Sequence, residues 1–564
     1  MTAASDVPAG EPEAPASGPV RRRLPFWLRV VVPAGLALAV SLVVGVTTAT
    51  TELSLGPHEA RYDVTTDDAI TIDVGPLGTL VMSSPLPLTL GVQVTVQEIP
   101  ASVTSVDASS TLQSLSGDLQ GYLQFFSGPQ ATIHDVTRAL LTSAAWRSLS
   151  VLTLLVGLWF GGRLLLGPQR RAELAAPLAP HARQLAAGTL VIVLGLTVMT
   201  SSVGERDRAS SVSAGSPVFD GTALAGARVT GRLAGVINTY GTYVLDAYRT
   251  NQAFYAAADD AFVAAWKERQ GRIDAAIQTT APTPAPSPSA DEAADPVPKD
   301  EQPIVLLLVS DLHCNVGMAP VVRKAAQLSE AKVILDAGDT TIDGTAVEQY
   351  CVTTFADAVP KGVPVVVSDG NHDSAETAAQ ERRAGLTVLA GKPVTVAGVR
   401  ILGDHDPNET RIGGGTFLGG IESATAEGER LARTACRDHA VDLLLIHTPH
   451  VGDAALEGGC VPVQLSGHLH VRVGPVPFGG GVRYVNASTA GAKVGEPTVG
   501  PLHGTAEMTI LRFDPTSRRV LDYQLVDVRV DRSASVGYRI PFPAPVAPAP
   551  VDTNGGLLDG GPTR

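Results

Sequence analysis

The chain has little positive charge for its length. Its 564 residues include 42 lysines and arginines against 56 aspartates and glutamates, a formal net charge of −14 at pH 7. Proteins that bind nucleic acid usually carry a basic surface. The charge balance therefore argues against general nucleic-acid binding, and we expect no nucleic-acid partner. No internal repeat is evident, and the sequence indicates no protein partner.

A nucleotide-binding loop is also missing. The glycine runs at residues 413–415 and 479–481 lack the Lys-Ser/Thr pair that follows the glycines of a phosphate-binding loop. We interpret both runs as flexible loops.

Cysteine is scarce, and all four cysteines lie in the C-terminal half: Cys314, Cys351, Cys436 and Cys460. Outside the cytoplasm they can pair, and four cysteines allow three connectivities. Sequence proximity alone favours Cys314 with Cys351 and Cys436 with Cys460. Because oxygen-rich metal sites do not favour thiolate, we expect Cys314 to be a disulfide or a buried thiol rather than a ligand.

Apolar sequence, by contrast, is abundant. Hydrophobic residues make up 44% of the chain and the mean hydropathy is +0.16, which is high for a soluble protein. The length predicts two or more domains. Three nearly uncharged stretches approach the roughly 20 residues that cross a bilayer. We interpret them as transmembrane helices at residues 28–46, 149–166 and 185–203.

Flanking charge predicts how these spans are oriented. Arginines 21–23 precede the first span, and Arg170, Arg171 and Arg183 lie in the loop 167–184, which is therefore expected to be cytoplasmic. Residues 47–148 and everything after residue 203 are then expected outside the cytoplasm of a multi-pass cell-membrane protein. Arg147 mildly opposes this orientation. The first span can also be interpreted as a cleaved signal peptide, although two further spans favour an anchor.

Composition divides the rest of the chain. Period-two alternation at residues 69–74 and 91–96 predicts a small β-rich segment, and an amphipathic helix is expected at residues 253–277. The predicted order is a disordered N-terminus (1–20), the β-rich extracytoplasmic segment (47–148), a helical extracytoplasmic segment (204–278), a Pro-rich linker (279–303), an α/β domain (304–530) and a Pro/Gly-rich tail (531–564).

Within residues 304–530, polar motifs directly follow apolar strands. The motifs are Asp311-Leu312-His313, Gly338-Asp339, Gly370-Asn371-His372-Asp373, His447 and Gly467-His468-Leu469-His470. In open α/β sheets, ligands bind at the carboxyl ends of strands, so we expect these segments to meet at one edge of a single sheet. The later alternating runs at residues 482–486, 506–513 and 519–530 predict a second sheet packed on the first.

The motif side chains are the mixed hard donors that a pair of divalent ions requires. We expect Asp311, His313 and His470 to bind one ion, Asn371, His447 and His468 to bind the other, and Asp339 to bridge them. A hydroxide between the ions would then attack phosphorus.

His372 is not needed as a ligand. It is the candidate catalytic residue, either stabilising the transition state or protonating the leaving oxygen. Asp373 and Asp343 are candidates to orient it.

The order of these motifs resembles the calcineurin-like metallophosphoesterase superfamily over about residues 304–490. The resemblance implies an α/β fold in which a β-sandwich is flanked by helices (αββα), and the same ligand and catalytic roles. It also implies two divalent ions (Mn, Fe or Zn, identity open). Protein-phosphatase members carry a second aspartate three residues after the bridging one. Ile342 stands at that place and Asp343 follows it, so the partner of His372 stays open.

The sequence thus predicts a membrane-anchored dinuclear phosphoesterase that acts outside the cytoplasm on phosphomono- or phosphodiesters. Its partners would be a phosphate-ester substrate and the lipid bilayer. One alternative is a non-catalytic sensor or membrane assembly protein whose domain binds phosphate ligands without turnover. Another is a cytoplasmic enzyme with the opposite topology.

Overall fold

The computed structural model describes residues 26–55, 58–97, 129–167, 169–170, 227–280, 302–412, 414–493, 498 and 500–545. The chain divides into two compact units. One comprises Met1–Ala49 with Leu141–Arg208, and the other comprises Thr50–Leu140 with Ala209–Arg564.

Two apolar helices supply the described part of the first unit: α1 (Phe26–Thr47) and most of α2 (Pro129–Leu165). They pack closely at Gly45, where an added Cβ would lie 2.0 Å from Ser148 Oγ. Within the described residues, one helix, Thr132–Leu165, is long and apolar enough to cross a membrane, and Pro33–Thr47 is a shorter apolar helix. The predicted spans 28–46 and 149–166 fall on α1 and α2, whereas 185–203 lies outside the described residues.

A small six-stranded sheet begins the second unit. Its order is β1-β2-β5-β3-β4-β6, and it comprises β1 (Thr50–Leu55), β2 (His58–Thr65), β3 (Ala69–Asp73), β4 (Thr79–Ser83), β5 (Gly91–Val96) and β6 (Arg228–Val229). The two strands predicted from alternation are β3 and β5. The last strand, β6, follows the apolar regions in sequence, yet it pairs with β4 and places Val229 opposite Leu80. The Thr79 and Thr230 hydroxyls are 2.8 Å apart.

Helix α3 (Gly231–Thr280) is longer than the helix predicted at residues 253–277. Its Phe254 and Phe262 are buried against the first of two large sheets, as the amphipathic pattern predicts, and Tyr255 is buried with them. The Tyr255 hydroxyl donates to Asn315 Oδ1 over 2.8 Å. This helix is therefore a structural part of the α/β body that follows it.

The first large sheet has the order β10-β9-β8-β7-β19-β20-β21, with β22 also pairing with β20. Its parallel part is β7 (Ile304–Val309), β8 (Val333–Asp336), β9 (Val365–Val367) and β10 (Thr387–Val388). Its antiparallel part is β19 (Ala506–Asp514), β20 (Arg519–Val528), β21 (Ala534–Val536) and β22 (Ile540–Pro541).

The second large sheet has the order β11-β12-β15-β16-β18-β17. It comprises β11 (Val394–Val396), β12 (Val399–Leu402), β15 (Leu443–Leu445), β16 (Val463–Ser466), β17 (Val473–Phe478) and β18 (Gly481–Val485). A separate hairpin is formed by β13 (Asn408–Arg411) and β14 (Gly415–Leu418). The remaining helices are α4 (Ala319–Leu328), α5 (Gln349–Ala358), α6 (Ala375–Ala384), α7 (Ala424–Asp438) and α8 (Asp453–Glu457).

Alternate residues of each strand face opposite sides, which gives the body its layers. Leu306 and Leu308 of β7 belong to the core between the two sheets, together with Leu443 of β15. Leu307 packs in the core that contains α3 and α4, and Leu444 packs in the core that contains α7. The two sheets therefore lie between outer helices, which is the expected α/β arrangement.

Two sheet assignments made from sequence are wrong. The motif-bearing strands do not share one sheet, because β7, β8 and β9 lie in the first sheet and β15 and β16 lie in the second. Strands β19 and β20, expected in a second sheet, instead extend the first. Strands covered on both faces are apolar on both faces, so their patterns do not indicate which neighbours they pair with.

The predicted tail at 531–564 begins too early. β21 and β22 pair with β20, and Phe542 is buried beside Tyr484 and Tyr523. Proline is acceptable in an edge strand, so the Pro-rich composition concealed these strands.

Both disulfides favoured by sequence proximity are present. Cys314–Cys351 joins the loop after β7 to α5, and Cys436–Cys460 joins α7 to the segment before β16.

Candidate metal centre

The loops at the carboxyl ends of both large sheets meet at one place. The first sheet contributes Asp311 and His313 after β7, Asp339 after β8, and Asn371 and His372 after β9. The second sheet contributes His447 after β15, and His468 and His470 after β16. The residues predicted as ligands therefore come from two sheets rather than one.

One group of four donors consists of Asp311, His313, Asp339 and His470, whose ligand atoms all lie within 4.8 Å of one another. His313 Nε2 is 3.0 Å from His470 Nε2 and 3.8 Å from Asp339 Oδ2. His470 Nε2 is 3.5 Å from Asp311 Oδ1. Atoms that share an ion at bond lengths of about 2.0–2.2 Å lie about 3 Å apart, so this group fits one cation.

A second group surrounds His447 Nε2. Asn371 Oδ1 is 3.0 Å from it, Asp339 Oδ2 is 3.1 Å away and His468 Nδ1 is 3.2 Å away. His468 Nδ1 also lies 2.8 Å from Asn371 Oδ1. Asp339 Oδ2 therefore faces donors of both groups, which is the position of a bridging ligand.

Hydrogen bonding and burial set the protonation of the imidazoles. His447 Nδ1 is 2.7 Å from the carbonyl oxygen of Ala337, which can only accept, so Nδ1 carries a proton and Nε2 is the nitrogen that faces the other donors. Burial lowers the pKa of His313 to about 3 and that of His468 to about 4. Both rings are therefore neutral near pH 7, the state in which histidine binds metal.

The electrostatics of the centre favour added positive charge. Burial alone would raise the pKa of Asp339, yet His447 and His372 hold it well below its usual range. Burial likewise opposes a charge on His447, but Asp339 and Asp311 raise its pKa well above the ordinary value. A protonated histidine thus balances the negative charge of these buried carboxylates. A bound divalent cation would supply that positive charge instead.

Backbone strain is concentrated at the same residues. Five of the candidate ligands have positive φ: Asp311 (52°), His313 (40°), Asp339 (60°), His468 (74°) and His470 (56°). Each such conformation costs about 1–3 kcal/mol and persists only where the surroundings impose it. Glycine at position 370 allows its main chain to lie close to the Asp339 carboxylate, because an added Cβ would lie 2.2 Å from Asp339 Oδ1.

His372 is partly exposed between the buried Asn371 and Asp373. Its backbone N–H donates to Asp339 Oδ1 over 2.8 Å, and its ring packs edge-on against His313. Ring Nδ1 is 2.6 Å from the carbonyl oxygen of Ile342, so Nδ1 carries the proton. Nε2 is then the nitrogen left for a substrate.

The two carboxylates predicted to orient His372 instead accept hydrogen bonds from backbone N–H groups. Asp373 accepts N–H bonds from Asp339, Thr341 and Gly370 at 2.8, 2.9 and 2.8 Å, and so shapes the Asp339 loop. Asp343 accepts a hydrogen bond from the N–H of Ile412 at 2.7 Å, and its interaction with His372 is electrostatic. The ring is oriented by the hydrogen bond that its Nδ1 donates to the Ile342 carbonyl. A backbone carbonyl of this kind cannot be recognised from the identity of the side chains.

Glu348, which sequence reasoning missed, holds the loop that carries this carbonyl. Its buried carboxylate accepts the N–H groups of Ile342 at 2.7 Å, Asp343 at 3.1 Å and Thr345 at 2.8 Å. Burial raises the pKa of Glu348, and these hydrogen bonds oppose the increase. The Thr345-x-x-Glu348 capping box was the sequence signal that could have identified it.

The β13–β14 hairpin lies beside the centre and was also missed. Thr410 N–H donates to the carbonyl oxygen of Asn371 over 2.6 Å, and Asn371 Nδ2 donates to Thr410 Oγ1 over 2.7 Å. This second bond directs Asn371 Oδ1 toward the histidines. Arg411 Nη2 donates to the carbonyl oxygen of Asp373 over 3.2 Å.

Residues 304–472 match the family model described as calcineurin-like phosphoesterase. No curated protein sequence matches the chain. Among solved structures, the chain is similar to a novel archaeal phosphodiesterase, at 11% identity over 40% of this chain and 100% of that chain, with a TM-score of 0.26. It is also similar to a dimetal phosphatase from Danio rerio, at 12% identity over 43% of this chain and 100% of that chain, with a TM-score of 0.28.

A novel phosphatase from Mycoplasma pneumoniae is a third similar structure, at 10% identity over 41% of this chain and 94% of that chain, with a TM-score of 0.28. The family match contains every motif from Asp311 to His470, and it supports the resemblance for residues 304–472. The apolar regions, the small sheet and α3 lie outside it.

Proposed function

We propose that this protein is a membrane-anchored, metal-dependent phosphoesterase that hydrolyses phosphomono- or phosphodiesters outside the cytoplasm. The observation that carries the proposal is the pair of donor groups that share Asp339 Oδ2, in a domain that matches the calcineurin-like phosphoesterases. In this assignment Asp311, His313 and His470 hold one ion, and Asn371, His447 and His468 hold the other.

The mixture of carboxylate, amide and imidazole donors suits Mn, Fe or Zn. Two divalent ions bound there would supply positive charge to the phosphoryl oxygens and make water more acidic. The residues that hold them also shape the space for a phosphate ester, because His372 borders the first group through its contact with His313.

We assign His372 as the catalytic side chain. Its Nδ1 is engaged by the Ile342 carbonyl, so Nε2 is the atom that can meet the ester. As an imidazolium it would stabilise negative charge on the phosphoryl group or give a proton to the departing oxygen, and a general acid of this kind contributes about 10²–10⁴-fold in rate.

Membrane anchoring is supported by the length and composition of α2 and by its packing with α1. The helix Thr132–Leu165 can span a bilayer, and Gly45 meets Ala144 and Ser148 at close range. Small residues at such contacts are typical of membrane helix pairs.

Pairing within the small sheet supports a return across the membrane. Residues 79–83 and 228–229 are adjacent strands, so both must lie on one side of any bilayer. If α2 crosses the membrane, this pairing agrees with the further span that the sequence predicts at residues 185–203. The two disulfides favour the oxidising, extracytoplasmic side.

Activity tests the assignment directly. The full-length protein, purified in detergent with added Mn²⁺, should hydrolyse p-nitrophenyl phosphate or its bis-ester. His372→Ala should lower kcat by about 10²-fold or more while metal content stays unchanged. His439, in the αL cap after α7, provides a control, since His439→Ala should leave both unchanged. Metal binding without turnover of any ester would instead favour the sensor function.

Topology is tested separately. A reporter enzyme that is active only outside the cytoplasm should be active when fused after Val203 and inactive when fused within residues 167–184. The reverse pattern would place the catalytic domain in the cytoplasm.

A further inference from the structure

Large apolar side chains that are exposed are concentrated in two short segments of the α/β body. Within the described part of residues 302–545, three lie in or just after the β13–β14 hairpin and four follow His468. These are Phe417, Leu418, Ile421, Leu469, Val471, Val473 and Val476. Only Leu521, Val530, Tyr538 and Ile540 are exposed elsewhere in that range. We call Leu418, Ile421, Leu469 and Val471 the apolar rim.

Covalent and hydrogen bonds tie both parts of the rim to the metal centre. Leu469, 44% exposed, lies between the candidate ligands His468 and His470, and Val471 follows them. On the other side, the hairpin bonds to Asn371 through Thr410.

Leu418 lies on the hairpin face that borders the centre. Thr416 is paired with Thr410, and their hydroxyls are 2.8 Å apart. Because residues two apart in a strand share a face, Leu418 lies on the same face as Thr416 and Thr410. Exposed apolar side chains thus adjoin the polar centre from the Asn371 side and from the His470 side.

A rim of this kind suits a substrate that carries a hydrocarbon part better than an ester that is freely dissolved in water. Single exposed apolar residues are normal on any protein. Several of them grouped beside a polar site indicate an interaction with another apolar body. Here the centre would take a phosphate, and the rim would take hydrocarbon attached to it.

The attachment of this body to α2 indicates where that hydrocarbon is found. Thr353 Oγ1 of α5 donates to Asp135 Oδ2 over 2.7 Å, and His134 Nδ1 is 3.1 Å from Asp357 Oδ2. Both His134 and Asp135 belong to the candidate membrane helix. The α/β body is therefore attached to the helix that we propose as a membrane anchor.

We propose that the substrate is a phospholipid held in the bilayer, whose phosphoester enters the metal centre while the apolar rim contacts its hydrocarbon. This inference rests on the proposed function. In the reaction one water is consumed. Its oxygen forms a bond to phosphorus, the ester P–O bond breaks, and the alcohol leaves with a proton.

The test compares membrane-held and dissolved substrates with the full-length protein reconstituted in vesicles. The lipid probes are headgroup-labelled long-chain phosphatidic acid and phosphatidylglycerol, and the dissolved probes are dibutyryl phosphatidic acid and p-nitrophenyl phosphate. The wild type should cleave a long-chain lipid at least about tenfold more efficiently than its dissolved counterpart, because burying apolar groups adds binding energy.

Variants then separate the rim from the centre. Leu418→Ser with Ile421→Ser should lower lipid turnover about tenfold while p-nitrophenyl phosphate turnover changes less than about twofold. Leu418→Ser alone should act in the same direction. Leu521→Ser, on β20 and similarly exposed at 38%, is the matched control and should change neither activity.

The outcomes distinguish this inference from the proposed function. Turnover of dissolved esters without preference for vesicle lipids, or with equal loss in Leu521→Ser, would overturn the lipid substrate and leave the phosphoesterase intact. Absence of turnover with every probe would overturn both. Lipid preference that survives all rim variants would also reject the role of the rim.

Discussion

The two sheets of the sandwich contribute unlike groups to the centre. The first supplies the oxygen donors Asp311, Asp339 and Asn371 together with His313, whereas the second supplies only imidazoles. Each proposed ion draws donors from both sheets. The centre is therefore also a link between the two halves of the body.

The sheets differ in how their loops are supported. Loops of the first sheet are held by buried carboxylates, with Asp373 and Glu348 each accepting several N–H bonds, and by the Cys314–Cys351 disulfide. The histidines of the second sheet depend on the first. His468 N–H donates to Asp311 Oδ1 over 2.9 Å, and His447 is held by the Ala337 carbonyl. The first sheet is the scaffold, and the second is positioned against it.

The largest expected effect comes from the residue shared by both groups. Asp339→Asn should lower kcat/KM about 10³-fold, about 4 kcal/mol of transition-state stabilisation, because one change removes charge from both ion positions. Metal content by elemental analysis should fall together with activity. The control Asp442→Asn, at a residue that directly precedes β15 and accepts the N–H of Arg400, should retain activity. Full activity in Asp339→Asn would reject the bridging assignment.

Removal of either disulfide should lower stability, but removal of only one of them should also lower catalysis. Removing either pair by serine substitution should cost about 3 kcal/mol of unfolding free energy, measured in urea. Only Cys314→Ser with Cys351→Ser should also lower kcat, because it loosens the loop of His313. Cys436→Ser with Cys460→Ser should keep kcat within about twofold of the wild type. Equal catalytic loss in both would contradict the division between scaffold and dependent sheet.

Metal removal should weaken the link between the sheets. At free Mn²⁺ about 100-fold above its Kd, binding adds about 2.7 kcal/mol, so chelation should lower Tm by about 5–10 °C. The measurement is calorimetry with chelator, followed by restored Mn²⁺. Asp339→Asn should respond much less than the wild type. An identical shift in both proteins would mean that the metal acts elsewhere.

The smallest effect should follow from Glu348, which acts through the Ile342 carbonyl rather than on substrate. Glu348→Gln should lower kcat by about tenfold, as expected when a group that orients an active-site side chain is lost, with KM and metal content little changed. A shifted pH profile of kcat would confirm that the orientation of His372 has changed. Glu376→Gln, whose exposed carboxylate pairs with Arg383, is the control and should match the wild type.

Much of the centre could be predicted because its signals are local. An apolar strand followed by Asp-x-His, Gly-Asp or Gly-His-x-His is visible within ten residues or so, and the carboxyl ends of strands are where such groups gather. The disulfide pairs and the packing face of α3 were predicted for the same reason. The third apolar stretch, 185–203, remains a prediction from hydropathy alone.

Other features depend on contacts between distant segments. Strands β19 and β20 extend the first sheet because they pair with β7, and their alternation would have suited either sheet. The strands after residue 530 depend on β20 as a partner. The partner of His372 is a backbone carbonyl that Glu348 positions, so no aspartate near it in sequence could reveal the bond.

By itself, the sequence determined which donors are available, in what order, and that each follows a strand, because donor chemistry and strand ends are properties of a few neighbouring residues. Tertiary structure alone decided that the donors come from two sheets, that Asp339 Oδ2 faces both groups, and which nitrogen each ring presents. Those outcomes depend on main-chain groups far away in sequence, such as the Ala337 and Ile342 carbonyls, which become neighbours only when the sheets pack.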